Sequence, residues 1–401
     1  MSEHPLEPLG YICEINPDTL TELSEPTIRY RYIDLSSIKG QRADLSITPL
    51  PFADLPSRAR RKVAFHDVLL GTVRPNLKNF AIIESKDDDL LCSTGFAVLR
   101  SKTNTSDPHF IFHAINSEIV ARQLNALVTG SNYPAVNATQ VAELLIPVPP
   151  LPEQKKIAEI LSGIDHSLAK LGDKINALTR LRVQLTRQFL THEDHPKTNH
   201  EGVLPLDWQV KTLDEVAQFR RGSFPQPYGN PEWFDENGFP FVQVFDIDDN
   251  GKLKSSTKSR ISKAGAERSI FIPCGSLIVS LQGSIGRVAI TQYDAYVDRT
   301  ILIFTDYQKD LDREYFSLLI GDLFSRQGEV ADGGVIKTIT KQTLKDFSIK
   351  IPPLNEQKRM SKVVFALDRH ISLYKKKLLK GNFLKQSLMG DLLSGRKRVS
   401  V

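Results

Sequence analysis

The chain has 401 residues, 40% of them hydrophobic and 25% charged, which is enough apolar material for at least two buried cores and unlike a disordered chain. No apolar run approaches the roughly 18 residues that cross a bilayer, and the opening MSEHPLEPLG lacks the basic and apolar regions of a signal peptide, so a cytoplasmic protein is expected. The net charge of +5 is unevenly placed: residues 352–401 carry twelve Lys or Arg against three Asp or Glu, residues 151–192 seven against four, and the remainder is net acidic. Overall charge therefore gives no reason to assign nucleic-acid binding to the rest of the chain, and only local clusters can.

Residues 1–148 read as a mixture of strands and helix. Short strand-like runs stand at Tyr30–Leu35, Asp67–Val73, Ala81–Ile83 and Gly95–Leu99. From Phe110 to Val128 the apolar period lengthens towards helical, and a loop follows at Gly130–Pro134. Arg58, Arg60, Arg61 and Lys62 form a basic knot before the second run, with Arg74 and Lys78 in the loop after it. A solvated surface is the bland reading of such a knot, and phosphate contact the sharper one.

The stretch Pro149-Pro150-Leu151-Pro152-Glu153-Gln154-Lys155 returns 203 positions later as Pro352-Pro353-Leu354-Asn355-Glu356-Gln357-Lys358. Behind each copy runs the same apolar stripe: Ile157, Ile160, Leu161, Ile164, Leu168, Leu171, Ile175, Leu178, Leu181, Leu185 and Phe189 answer to Met360, Val363, Val364, Leu367, Ile371, Tyr374, Leu378, Gly381, Leu384, Leu388 and Leu392. Steps of three and four predict two long amphipathic helices with a stripe narrow enough for a helical partner. Some 38 residues would reach roughly 57 Å, with Gly163 and Gly172 as places for a kink. The first helix is expected to end in the polar stretch Thr191–His200, a linker over 193–203; its HEDH string is not the His-Glu-x-x-His metal motif.

Residues 204–350 echo the first domain. Phe239–Val244 parallels its early strand, Gly275–Ser280 parallels Asp67–Thr72, and helix-like Tyr315–Phe324 precedes the loop Asp332–Lys337. Lys252, Lys254, Lys258, Arg260, Lys263 and Arg268 crowd between strands, and Leu281-Gln282-Gly283-Ser284-Ile285-Gly286-Arg287 exposes backbone amides beside an arginine. That turn is either a tight hairpin or a point of close approach to a phosphate backbone.

Catalytic constellations are missing. The chain has no Gly-x-x-x-x-Gly-Lys-Ser/Thr, no Gly-x-Gly-x-x-Gly opening a helix and no Gly-x-Ser-x-Gly. The Asx-Pro-Pro-aromatic string of amino methyltransferases breaks at the third position of Asp107-Pro108-His109-Phe110, and Glu84-Ser85-Lys86 lacks the Pro-Asp of a nuclease motif. His109 and His113, four apart on a helix, want a third ligand, and the cysteines Cys13, Cys92 and Cys274 are scattered and expected to be buried free thiols. No metal, cofactor or catalytic residue is expected.

The duplicated Pro-Pro-Leu-x-Glu-Gln-Lys openings, the stripe ending Leu388-Met389-Gly390-Asp391-Leu392-Leu393-Ser394-Gly395, Ser131-Asn132-Tyr133-Pro134 and Gly283-Ser284-Ile285-Gly286-Arg287 resemble the specificity subunits of Type I restriction-modification enzymes, over essentially the whole length. Gly381 in place of a large apolar residue departs from the duplicated stripe. The resemblance implies an α+β fold with an internal pseudo-twofold repeat: a target-recognition domain over 1–148, a helical spacer over 149–192, a second recognition domain over 204–350 and a second spacer over 351–401. It implies that each domain reads half of a split double-stranded DNA target while the helices pair as an antiparallel coiled coil and dock two methyltransferase subunits, with restriction subunits completing the complex. The candidate DNA contacts are Arg58, Arg60, Arg61, Lys62, Arg74 and Lys78 in the first domain and Lys252, Lys254, Lys258, Arg260, Arg287 and Lys337 in the second. The rival readings are an enzyme with an unrecognised site and a helical scaffold that assembles partners without reading DNA.

Overall fold

A computed structural model describes residues 4–128, 134–191, 207–248, 251–282, 285–331, 345 and 347–400. The chain divides into two compact units, one of Met1–Gly172 with Lys377–Val401, the other Asp173–Lys376. Each unit thus holds one globular body and one end of each long helix. The helices run Leu151–Thr191 and Leu354–Ser394, both 41 residues and about 60 Å. The first is helical without a break through Gly163 and Gly172, so the chain does not pause at either, and a Cβ at either glycine would meet nothing within 4 Å.

The first body contains two four-stranded sheets. In one, Cys13–Ile15, Phe96–Ser101, Val68–Gly71 and Phe80–Ile82 lie side by side and antiparallel. In the other, Leu90–Ser93 lies between Arg29–Ile33, to which it is parallel, and Ala59–Lys62, with Leu50–Pro51 at the far edge. Alternation with a period of two gives the first sheet two buried faces. Val68, Leu70, Ala97 and Leu99 meet the helix Pro108–Ile115 and the long helices through Ile157, Leu161, Met389 and Leu392, whereas Leu69, Ala81 and Val98 meet Ile33, Leu90 and Cys92 of the second sheet.

The second body repeats this frame strand for strand. Gln218–Arg221, Ile301–Thr305, Leu277–Ser280 and Val288–Ile290 form its first sheet, and Ser259–Ile261, Phe234–Val242, Ala295–Val297 and Ile270–Ile272 its second, again with one parallel pair at the centre. Leu277, Val279, Leu302 and Phe304 pack on Tyr315, Phe316, Ile320 and Met360, while Ile278 and Ile303 pack on Val242 and Val297. A two-stranded ribbon closes each body, Leu6–Pro8 with Leu145–Pro147 and Gln209–Thr212 with Ser348–Ile351.

The repeated glutamine explains why the motif recurs. Gln154 accepts from Asp107 N (3.1 Å) and donates to Pro149 O (2.9 Å) and Thr105 O (3.2 Å). Gln357 accepts from Asp312 N (2.8 Å) and donates to Asp310 O (2.9 Å) and Pro352 O (2.8 Å). Asp107 and Asp312 in turn cap the body helices, accepting from Phe110 N at 2.9 Å and Tyr315 N at 2.8 Å. One buried amide therefore fastens the start of each long helix to the start of a body helix, and the prolines supply rigid chain and a free carbonyl. Glu153 is held by Arg398 (2.8 and 2.7 Å), and Glu356 accepts from Trp208 Nε1 (3.1 Å).

Within each unit the helix segments run antiparallel. In the first, Leu168 fills the space at Gly381, where a Cβ would lie 2.5 Å from Leu168 Cδ2, and Asp165 pairs with Lys385 at 2.5 Å. In the second, Arg182 pairs with Asp368 at 3.1 Å and Lys174 lies 4.6 Å over the Tyr374 ring. Asp165 and Asp368 are repeat equivalents, as are Arg182 and Lys385, so the same ion pair occurs once in each unit. The expected stripe needs correction: Leu181, Val363 and Leu384 are 42%, 40% and 71% exposed. Arg182 and Lys385, the neighbours of Leu181 and Leu384, turn inward to reach the aspartates. Cys274 is also exposed, whereas Cys13 and Cys92 are buried as expected.

Gln357→Ala strands Asp312 N and two carbonyls, at a cost of about 2–4 kcal/mol. Both tryptophans, Trp208 and Trp233, lie in the second unit, so their fluorescence in a denaturant titration will report that loss. Arg398→Ala removes the guanidinium that holds Glu153 below its ordinary pKa. A lowered folded pKa stabilises above the usual glutamate range and is lost as pH falls through it. The variant should therefore be weaker by about 1 kcal/mol at pH 7, since Arg398 is half exposed, and the difference should shrink as pH falls below the ordinary glutamate pKa and vanish once pH is below the lowered pKa of the folded state.

Candidate nucleic-acid interface

Parallel strands end on the same side, so the chain leaving the central pair of each second sheet emerges at one end of the body. In the second unit Phe234–Val242 runs into a turn at Val244–Asp246 and Ala295–Val297 into the loop Asp298–Thr300. A third loop joins them after Leu277–Ser280, where Leu281 N donates to Thr300 O at 2.8 Å. The first unit has the same three loops. Arg29–Ile33 leads into Leu35–Ser37, Leu90–Ser93 leads into Thr94 and Gly95, and Thr72 N donates to Gly95 O at 2.8 Å. Leu35 seats on both glycines here: a Cβ at Gly71 or Gly95 would lie 3.4 Å from its methyls.

The expected basic residues divide between this loop end and other places. In the first unit Arg58 is exposed beside the loop, its carbonyl accepting from Thr94 N at 2.9 Å, and Arg74 is exposed in the loop after Val68–Gly71, with left-handed backbone at φ 47°. Arg60 lies 5.0 Å over the Phe52 ring, Arg61 is half-buried on the strand Ala59–Lys62 with burial lowering its pKa, and Lys62 is exposed at the strand's end. Lys78 turns away, donating to Asn116 O at 3.3 Å. In the second unit, Lys252 and Lys254 are exposed on a segment that folds back on the turn, with Asp248 N donating to Lys252 O and Lys254 N to Asp246 O, both at 2.8 Å. Lys258 lies 5.1 Å over the exposed Phe245 ring. Arg260 donates to Gly238 O at 2.9 Å and Arg287 to Ile247 O at 3.0 Å, so both help to hold backbone. Lys337, Ser131–Tyr133, Gly283, Ser284 and the linker over 193–203 lie outside the described residues.

The side chains that line the second unit's loop end are not among the expected contacts. Phe245, Gln282 and Arg299 border an open recess of about 330 Å³ with Tyr228, Gln243 and Asp298. Burial and the adjoining Asp298 push the Tyr228 phenol up to about 12, so it remains a neutral hydroxyl. Only Arg299, two residues after the strand-like Tyr296-Val297, carried a signal that could have been read.

Larger recesses lie where body and helices meet, about 630 Å³ in the first unit and 470 Å³ in the second. The first holds His109 and His113, but among the described residues no three potential ligands cluster for a metal. His113 Nε2 is 2.9 Å from Ser162 Oγ, and burial with nearby Lys385 pulls its pKa down to about 3, so it serves as a neutral polar group inside the fold.

The family model for the Type I restriction modification DNA specificity domain matches this chain twice, over residues 67–180 and 205–380. A Methanocaldococcus jannaschii chain named as the MjaX specificity subunit of a type I restriction enzyme is 24% identical over 353 residues, 85% of this chain and 80% of that one. The MjaVIII specificity subunit of the same organism is 24% identical over 77% of this chain and 75% of its own length. Among solved structures, a chain from a study of complex assembly and conformational transition in a type I restriction-modification system has the same fold, with a TM-score of 0.62 at 22% identity, 98% of this chain and 99% of that one being covered. With the family model matching most of its length and duplicated as the fold is duplicated, the chain belongs to the type I restriction-modification specificity subunits.

Proposed function

We propose that each body reads one half of a bipartite double-stranded DNA target and that the long helices set the distance between the two halves. The reading regions are residues 1–148 and 204–350, the spacers 149–192 and 351–401, and 193–203 a linker. The observation that carries this reading is the duplication of an entire frame, with basic residues at the same loop end of both copies: Arg58 and Arg74 in one, Lys252, Lys254 and Lys258 in the other. Such cations supply salt-dependent affinity for phosphates and fix register on the duplex. Arg60, Arg61 and Lys62, and Arg260 and Arg287, are assigned to the same contact surface or its support; Lys78, turned to Asn116, is not placed on it, and Lys337 is proposed as a further DNA contact from its sequence alone.

The chain is proposed to carry no chemistry of its own, because its sequence has no complete nucleotide-binding, methyltransferase or nuclease motif. Methylation would come from two docked methyltransferase subunits and cleavage from restriction subunits. Leu181, Val183, Leu379, Phe383 and Leu384, exposed on the helices, and the surplus of basic residues there suit a protein partner with an apolar, acidic groove. Among the described residues no helix is long and apolar enough to cross a membrane.

Exchanging residues 204–350 for the matching region of a relative, in a complex with modification subunits, should change one half of the methylated sequence and leave the other intact. A change in both halves would show that the bodies do not read independently. Inserting four residues between Asp165 and Gln188 advances the far end of that helix by about 6 Å and turns it roughly 40° beyond a full revolution. Methylation mapping should then show the same half-sequences with the nonspecific gap lengthened by about one or two base pairs. An unchanged gap with activity retained would remove the helices as the ruler.

A further inference from the structure

The two bodies share backbone and differ in what the shared positions carry. Matching hydrogen bonds, Leu281 N to Thr300 O and Thr72 N to Gly95 O, align Gln282 with Val73 and Arg299 with Thr94. The matching parallel strands, with Val242 opposite Val297 and Ile33 opposite Cys92, align Phe245 with Ser36. Where one unit presents a valine, a threonine and a serine, the other presents an amide, a guanidinium and an aromatic ring. A frame used twice to select different sequences must place its selectivity at positions of this kind.

We infer that Arg299, Gln282 and Phe245 choose the bases read by the second unit and that Arg299 takes a guanine. This rests on the reading of that unit as a DNA reader. The recess is built rather than incidental. Asp298, 3% exposed, accepts from Thr300 N at 2.9 Å, Thr300 Oγ1 at 2.5 Å and Tyr228 OH at 3.0 Å. The same phenol oxygen accepts from Gln243 Nε2 at 2.6 Å, and Gln243 Oε1 accepts from Ser259 Oγ at 3.1 Å. This chain of bonds ties together the loops that bear Phe245 and Arg299. Asp298 and Gln243 are thereby occupied as supports, which leaves the exposed neighbours to meet a ligand. The Arg299 guanidinium lies 5.9 Å from the Tyr228 ring centre, which steadies a planar fork.

The chemistry of the three groups matches base edges in the major groove. A guanidinium can donate two parallel bonds to guanine O6 and N7, an amide can pair with adenine, and a phenyl ring can contact a thymine methyl. Phe245 is 41% exposed and carries Lys258 across its face, so an apolar contact is bordered by a cation suited to the adjoining phosphate. These three positions select sequence, while Lys252, Lys254 and Lys258 bind whatever duplex is present.

The test uses the full chain in complex with modification subunits, methylating a randomised duplex library whose products are sequenced. Arg299→Thr installs the first unit's residue, and Arg299→Lys keeps the charge while removing the fork. Both should lose the preference for guanine at one position of the second unit's half-site by roughly five- to a hundredfold, with the other half-site unchanged. Retention of that preference by Arg299→Lys would make the contact a phosphate contact and overturn the inference, as would an unaltered motif in both variants. A parent complex that showed no base preference in that half would overturn the reading of the unit itself.

Discussion

The architecture depends on a single buried amide used twice. Gln154 and Gln357 each satisfy one backbone N–H and two carbonyls at the junction of sheet body, body helix and long helix. These groups lie where three chain segments converge and water is excluded, so an unpaired partner would cost about as much as several surface contacts contribute. The surrounding motif follows from this need. Prolines present carbonyls without an amide to satisfy, the preceding glutamate finds Arg398 or Trp208, and the apolar residues one turn on, Ile157 and Met360, enter the body cores. A rigid junction of this kind lets a helix report the position of the body fixed to it.

The helices are held in register by charge as well as by apolar contact. The pairs Asp165–Lys385 and Arg182–Asp368 occupy equivalent places in the two units, and each takes the inward position that an uninterrupted leucine stripe would have given to Leu384 or Leu181. A seam of leucines alone tolerates slippage by a heptad, whereas the Asp165–Lys385 pair, with Leu168 seated at Gly381 one turn away, favours a single register. For a protein whose proposed task is to measure a distance, unambiguous register matters more than the last increment of stability.

Much of this was legible in the sequence because it is repeated. The motif at 149–155 and 352–358 and the stripe behind it gave the two helices, since a 3.6-residue period over some forty residues is a strong signal. The strands Val68–Gly71 and Leu277–Ser280 were legible from the continuous apolar runs that contain them, as expected of strands buried on both faces. What the sequence could not show was which charges meet which. Lys78, Arg260 and Arg287 looked like free surface cations and hold backbone carbonyls instead. Phe245 and Arg299, far apart in the chain and unremarkable in composition, come together only because two parallel strands end side by side. Long-range pairing of that kind leaves no local pattern to read.

The central claim is that two equivalent bodies on a common helical frame each specify part of one target. Sequencing every methylated site in DNA from cells that carry this chain with its modification subunits tests it most directly. The account predicts a motif of two short specified sequences, different from one another, separated by a gap of fixed length and unrestricted sequence. A continuous motif, a single specified block or a gap of variable length would contradict it.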